Sequence, residues 1–97
     1  MRVYISGAIT GNDNYKEDFA RAERELSAAG HEVINPVKLE DILPQLTYEE
    51  YMKLDLALLD VCDAVFMLND WKKSLGANRE YGYALAKGKM MMGNYEA

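Results

Sequence analysis

Cysteine is almost missing from this chain: Cys62 is the only one in 97 residues. No internal disulfide can form, and a zinc site built on thiolates lacks its ligands. Histidine is equally scarce, with His31 alone after Gly30, where it reads as a turn residue. No metal and no cofactor is therefore expected. Long apolar runs are missing too. Asp60 and Asp63 interrupt the most apolar stretch, and no segment reaches the roughly 18 to 20 apolar residues that a bilayer requires. Positive charge is in short supply, with 11 Lys and Arg against 16 Asp and Glu, a net charge of −5. Sequence-independent binding to a nucleic-acid polymer rests on cations that neutralise phosphates, so that class is disfavoured. A single nucleotide, needing only a few local donors, is not. Met1-Arg2 leads straight into a strand pattern without a signal-peptide region, and with the lone cysteine this sets the expectation of a reducing cytoplasm.

What is present is ordinary globular composition, 49% apolar and 28% charged, enough for one domain over residues 1–97 and too little for two cores. Val3-Tyr4-Ile5 is a short β-type run closed by Ser6-Gly7. After the capping residues Asn12, Asp13 and Asn14, apolar residues recur at Tyr15, Phe19, Ala22, Leu26 and Ala29, the period of an amphipathic helix that Gly30 stops. His31 to Ile34 reads as a second strand ended by Asn35-Pro36. Residues 37–46 hold Pro44 and no clear period, which predicts a loop with at most one short turn. Thr47 and Glu50 form a capping box for a second long helix with its apolar stripe at Tyr51, Leu54, Leu58 and Val61. Ala64 to Leu68 is an uninterrupted apolar run, expected of a central strand covered on both faces. Asn69 to Lys73 is a polar loop, a third helix runs from Ser74 to about Lys87, and Met90 to Met92 form a last strand read as core. No internal repeat or linker is present.

The alternation β-α-β-α-β-α-β predicts an α/β fold: a small flavodoxin- or Rossmann-like three-layer sandwich on a four-stranded parallel sheet in the order 2-1-3-4. Ligands of such sheets bind beyond the carboxyl ends of the strands, where the strand order reverses. That rule selects Gly7 to Asn14, Asn35 to Leu46 and Asn69 to Ala77.

In the first segment Gly7, Ile9, Thr10 and Gly11 make a glycine-containing strand-to-helix loop that backbone could bring close to a ligand; a plain tight turn fits as well. In the third, Ser74 sits where a helix N-cap belongs, with Gly76 and Ala77 in the first turn. Free amides, the positive helix end and a hydroxyl suit a phosphate, and Ser74 as a mere cap with solvated Lys72 and Lys73 is the alternative. Glu80 has mostly small helical neighbours, among them Gly76, Ala77 and Ala84, the composition of a face packed closely on a sheet. A carboxylate bordering that face is either a functional group or an ordinary early-helix glutamate. Asp55 reads from spacing as a solvated boundary residue, roughly 12 Å below the sheet's top edge at 1.5 Å per residue. Tyr4 reads as a core tyrosine whose phenol could hydrogen-bond a carboxylate. Asp60 and Asp63 fall at the opposite end and read as structural.

Together these residues resemble the nucleoside 2-deoxyribosyltransferase superfamily, in particular its small DUF4406-like branch. The resemblance rests on Ser74-Leu75-Gly76 followed by Glu80, Gly82, Ala84, Ala86 and Gly88-Lys89, on Cys62-Asp63 before the apolar run, on Trp71, on Val3-Tyr4-Ile5-Ser6-Gly7, and on Asp55 eight residues before Asp63. It implies that Glu80 is a nucleophile attacking C1′ of a 2′-deoxyribosyl group, that Tyr4 orients it, and that Asp55 lies near the sugar and leaving base. Serine at position 74 resembles the branch that hydrolyses 2′-deoxynucleoside 5′-monophosphates; transferases acting on free nucleosides carry aspartate there, which would repel a phosphate. The same branch can carry a basic residue where this chain has Thr10, which implies either a lower phosphate affinity or substitution by Lys72, Lys73 or Arg79.

The resemblance, with exposed-looking aromatics such as Tyr48 and Trp71, also implies a homodimer or larger homo-oligomer. Relatives continue past their last strand, whereas this chain ends at Asn94-Tyr95-Glu96-Ala97, so the site is either more open or covered by residues 37–46. Two functions follow. One is an N-glycosidase or deoxyribosyl transferase working through Glu80. The other is a non-catalytic module that binds a nucleotide or its derivative as a sensor or sequestering protein.

Overall fold

A computed structural model describes residues 1–96; Ala97 lies outside the described residues. Four strands, β1 (Arg2–Ser6), β2 (Glu32–Ile34), β3 (Ala64–Met67) and β4 (Met90–Gly93), form one parallel sheet in the order β2-β1-β3-β4. The helices are α1 (Tyr15–Ala28), the short α2 (Leu39–Ile42), α3 (Tyr48–Asp60) and α4 (Leu75–Ala86). This is the expected architecture, reached for the expected reason: right-handed crossovers put α1 on one face and α3 and α4 on the other.

Strand alternation splits the core in two. Val3, Ile5 and Ala64 pack against Phe19, Ala22 and Leu26 of α1. Tyr4, Val65 and Met67 face the opposite way, toward Leu59 of α3 and Ala77 and Ala84 of α4. Chain entry into α3 is fixed by the capping box: Thr47 Oγ1 accepts from the Glu50 amide at 3.2 Å, and Glu50 Oε1 accepts from the Thr47 amide at 2.8 Å. At α1 the capping differs from the expectation. Asn14 holds the cap position without a side-chain bond, and Asn12 Oδ1 instead accepts from the Asn14 amide at 3.1 Å.

Several local expectations need correction. The stripe of α3 that meets the sheet is Met52, Asp55, Leu56 and Leu59, whereas Leu54 and Val61 are exposed. Glu49, Glu50, Lys53 and Asp60 occupy one side of this helix and apolar residues spread over most of the rest, so two stripes compete in the sequence and only packing on the sheet selects one. Residues 36–42 are more ordered than a loop: a 3₁₀ turn over Pro36–Lys38 runs directly into α2. Asn35 Oδ1 caps that turn by accepting from the Val37 amide at 3.1 Å, and Pro36 supplies the preset φ of a first helical position. The polar loop after β3 likewise contains a 3₁₀ turn, Trp71–Lys73. Trp71 itself is buried, not exposed. Its ring stacks on Tyr81 at 4.5 Å and its Nε1 donates to the Asn94 carbonyl at 2.8 Å. Met91 packs into the core as expected, but Met90 is 54% exposed, because β4 is an edge strand and α1 lies over β1 and β2.

Candidate active site

Beyond the carboxyl ends of β1, β2 and β3 lies a cavity of about 700 Å³ on the α3/α4 side, at the point where strand order reverses. All three segments selected by the topological rule contribute to it: Gly7, Ile9 and Thr10 after β1; Pro36, Glu40 and Leu46 after β2; Lys73, Ser74, Leu75, Gly76 and Ala77 after β3. Helix α3 adds Tyr48, Tyr51, Met52 and Asp55, and α4 adds Glu80.

Glu80 lies at the floor of this cavity. It is 5% exposed, and both carboxylate oxygens accept hydrogen bonds from β1: Oε2 from the Tyr4 hydroxyl, and Oε1 from Ser6 Oγ at 2.6 Å. Tyr4 and Ser6 are two residues apart on a strand, so both side chains point to the same face. Tyr4 lies beneath the floor of the cavity, fully buried. Among the described residues no cation pairs with Glu80. Burial therefore dominates its titration and pushes its pKa up to about 7; the Ser6 and Tyr4 hydroxyls oppose that rise and the Asp55 charge adds to it. The Tyr4 phenol is raised well above its usual range by burial and by the Glu80 charge, so it stays a donor at any physiological pH.

Asp55 is where spacing alone misled. It lies on the inward stripe of α3 and lines the cavity instead of facing solvent. Burial, helped by the charge of Glu40, pushes its pKa up to about 7. Two carboxyl groups thus share one cavity with raised titrations, each pushed up chiefly by burial.

The Ser74 end is of opposite polarity. Ser74 is the N-cap of α4, its Oγ accepting from the Ala77 amide at 3.1 Å, and the positive end of the helix opens on the cavity. Of the three cations considered as aids there, only Lys73 lines the cavity. Arg79 is engaged by Glu49 through two bonds of 2.8 and 3.1 Å, and Lys72 lies 5.8 Å from the Trp71 ring. On the other wall, Gly7 has no room for a side chain: a Cβ there would sit 2.7 Å from Leu68 Cδ1. Gly11, with φ of +79°, makes the turn into α1 and is not among the lining residues.

Sequence reasoning missed Ser6, Glu40, Tyr48, Tyr51 and Met52. Ser6 had a signal, the period-2 spacing from Tyr4 that puts its hydroxyl on the same face. Glu40 had none beyond lying in the segment after β2. At the far end Asp60 and Asp63 are structural as expected: Asp60 accepts from the Tyr83 hydroxyl and pairs with Lys87, and Asp63 accepts from the Arg2 amide.

Among solved structures, the chain is similar to a 2-deoxyribosyltransferase from the psychrotolerant bacterium Bacillus psychrosaccharolyticus, with a TM-score of 0.74 and 23% sequence identity over 94% of this chain and 69% of that one. At that identity the likeness establishes the fold. No curated protein sequence matches the chain. The family model described as a domain of unknown function, DUF4406, matches residues 1–93, nearly the whole length. The chain belongs to the DUF4406 family, on a fold shared with a nucleoside deoxyribosyltransferase.

Proposed function

We propose that this protein cleaves the N-glycosidic bond of 2′-deoxynucleoside 5′-monophosphates, with Glu80 as nucleophile and water as the second-step acceptor. The observation that carries the reading is the Glu80 carboxylate itself: buried, unpaired with any cation among the described residues, and held by two hydroxyls at the floor of a large cavity. Such a group is costly to bury and needs a compensating purpose. In the proposed reaction one Glu80 oxygen bonds to C1′ while the C1′–N bond breaks, its electron pair leaving with the base. Asp55 in its protonated form delivers a proton to that base. The Asp55 carboxylate then takes a proton from water, whose oxygen attacks C1′ and releases deoxyribose 5-phosphate, restoring Glu80. Transfer to a second base instead of water is the same chemistry with another acceptor.

The phosphate is proposed to rest on the α4 N-terminus, with the Ser74 hydroxyl and Lys73 as its partners and the Gly7–Thr10 loop as the opposite wall. A closed homo-oligomer and a cytoplasmic setting complete the proposal. Exposed Tyr48 and Leu75 at the cavity mouth support the first, and the single buried Cys62, whose thiol burial pushes up to about 11, suits the second.

The test is incubation with the four deoxynucleoside monophosphates and the matching nucleosides, measuring free base. Base is expected from the monophosphates, and Ser74→Asp should weaken their cleavage by roughly a hundredfold while barely affecting nucleosides, because like charges at short range cost several kcal/mol. Equal loss for both ligand types would remove Ser74 from the phosphate site. Binding of nucleotides without any base release would replace the enzyme by a binding module.

A further inference from the structure

Glu40 is the one acidic group lining the cavity that the proposed chemistry leaves unused. It sits on α2, which follows β2 after the 3₁₀ turn Pro36–Lys38. Its Oε1 accepts from the Tyr15 hydroxyl at 2.8 Å, a bond between α2 and the first residue of α1 that fixes the carboxylate in place. Among the described residues no Lys or Arg pairs with it. A carboxylate only accepts hydrogen bonds, and among the described residues one oxygen here has its protein donor while the other has none.

The strand order lays the cavity out in line. Ser74 follows β3, the Glu80 oxygens meet β1, and Glu40 follows β2. Adjacent strands are about 4.8 Å apart, so β3 to β2 spans roughly 10 Å. A nucleotide with its phosphate at Ser74 and C1′ at Glu80 then points its base toward Glu40, past Asp55, whose carboxyl feels the Glu40 charge. Resting on the reaction proposed above, we infer that Glu40 reads the base, and selects bases that present an exocyclic amino group over those presenting a carbonyl oxygen at the same position. An amino group donates to the open Glu40 oxygen. A carbonyl there sets acceptor against acceptor and leaves the carboxylate without its partner, which is the larger part of the discrimination.

Two matched pairs test this difference: dCMP against dUMP, and dAMP against dIMP, each exchanging an amino group for a carbonyl oxygen with a proton added to the adjacent ring nitrogen. The wild-type protein is expected to show kcat/KM at least about tenfold higher for the amino member of each pair. Glu40→Gln keeps the size and can still accept from Tyr15, but its amide can also turn a donor toward a carbonyl; both ratios should narrow to within about threefold. Glu40→Ala, which deletes the acceptor, should narrow them as well and covers the case of a Gln variant that does not fold. Equal use of the two members by wild type, a preference for the oxo member, or a preference that survives both substitutions would overturn the inference. If wild type releases no base from any of the four, the reaction reading has failed independently, and the same pairs are compared by equilibrium binding. An amino preference in binding that Glu40→Gln removes supports base reading by Glu40, whereas equal or absent binding overturns it.

Discussion

The two ends of this sheet handle the same functional group in opposite ways. At the amino end, carboxylates are exposed and answered. Asp60 has the Tyr83 hydroxyl and Lys87, Glu32 has Arg2, and Asp60 titrates below its usual range because the Tyr83 hydroxyl and the nearby lysines favour its charge. At the carboxyl end, Glu80 and Asp55 are enclosed, have no cation among the described residues, and titrate near 7 because burial disfavours their charge. Paired surface carboxylates contribute little to stability and need no other explanation. Enclosed carboxylates with raised pKa values destabilise the fold at neutral pH, and they persist only where something else requires them. The contrast separates the structural acids from the candidate chemical ones without reference to any relative.

The largest expected effect comes from exchanging one carboxylate at each end. Glu80→Gln should reduce base release by roughly a thousandfold or more, equivalent to about 4 kcal/mol of barrier, while nucleotide binding stays within about tenfold. Asp60→Asn, isosteric in the same way, should leave turnover unchanged when assayed alongside. Comparable losses in the two variants would erase the distinction between the ends.

A smaller effect concerns how β1 holds the nucleophile. Ser6 and Tyr4 both lower the Glu80 pKa against the pull of burial. Ser6→Ala should therefore move the ascending limb of the kcat/KM–pH profile to higher pH and cost roughly tenfold in rate near neutrality, with the descending limb, set by a protonated Asp55, little moved. A uniform loss at all pH values would make Ser6 a packing residue only.

The smallest effect is in stability. Both raised carboxyls bind more protons folded than unfolded between their usual range near 4 and their folded values of about 7. Stability from this pair is thus fully present at low pH and is lost as pH rises through about 7. Each group contributes a slope of at most about 1.4 kcal/mol per pH unit, less for the more accessible Asp55. Denaturant midpoints followed from pH 5 to 8 should fall, and Glu80→Gln should flatten the curve. An unchanged curve in that variant would mean that Glu80 is not the group titrating.

Sheet order, crossovers and the three cavity-lining segments were legible in the chain because they depend on local periodicity and on a handedness rule that holds for any α/β alternation. The capping box at Thr47 and the Ser74 cap were legible for the same reason: each is made within one turn of chain. Glu80 could be singled out from its small neighbours. What lay beyond local reading was rotation and enclosure. Apolar residues of α3 spread over well more than half of its circumference, so its sequence does not say that Met52 and Leu59 face inward, nor that Asp55 turns into the cavity with them. Trp71 looks like a loop aromatic until Tyr81 and the Asn94 carbonyl close around it. Glu40, Ser6 and Glu80 come from segments up to 74 residues apart, and their titration and hydrogen bonding are set by what surrounds them in space. Periodicity and caps are properties of neighbours along the chain; burial is a property of neighbours across it, and only the tertiary structure supplies those.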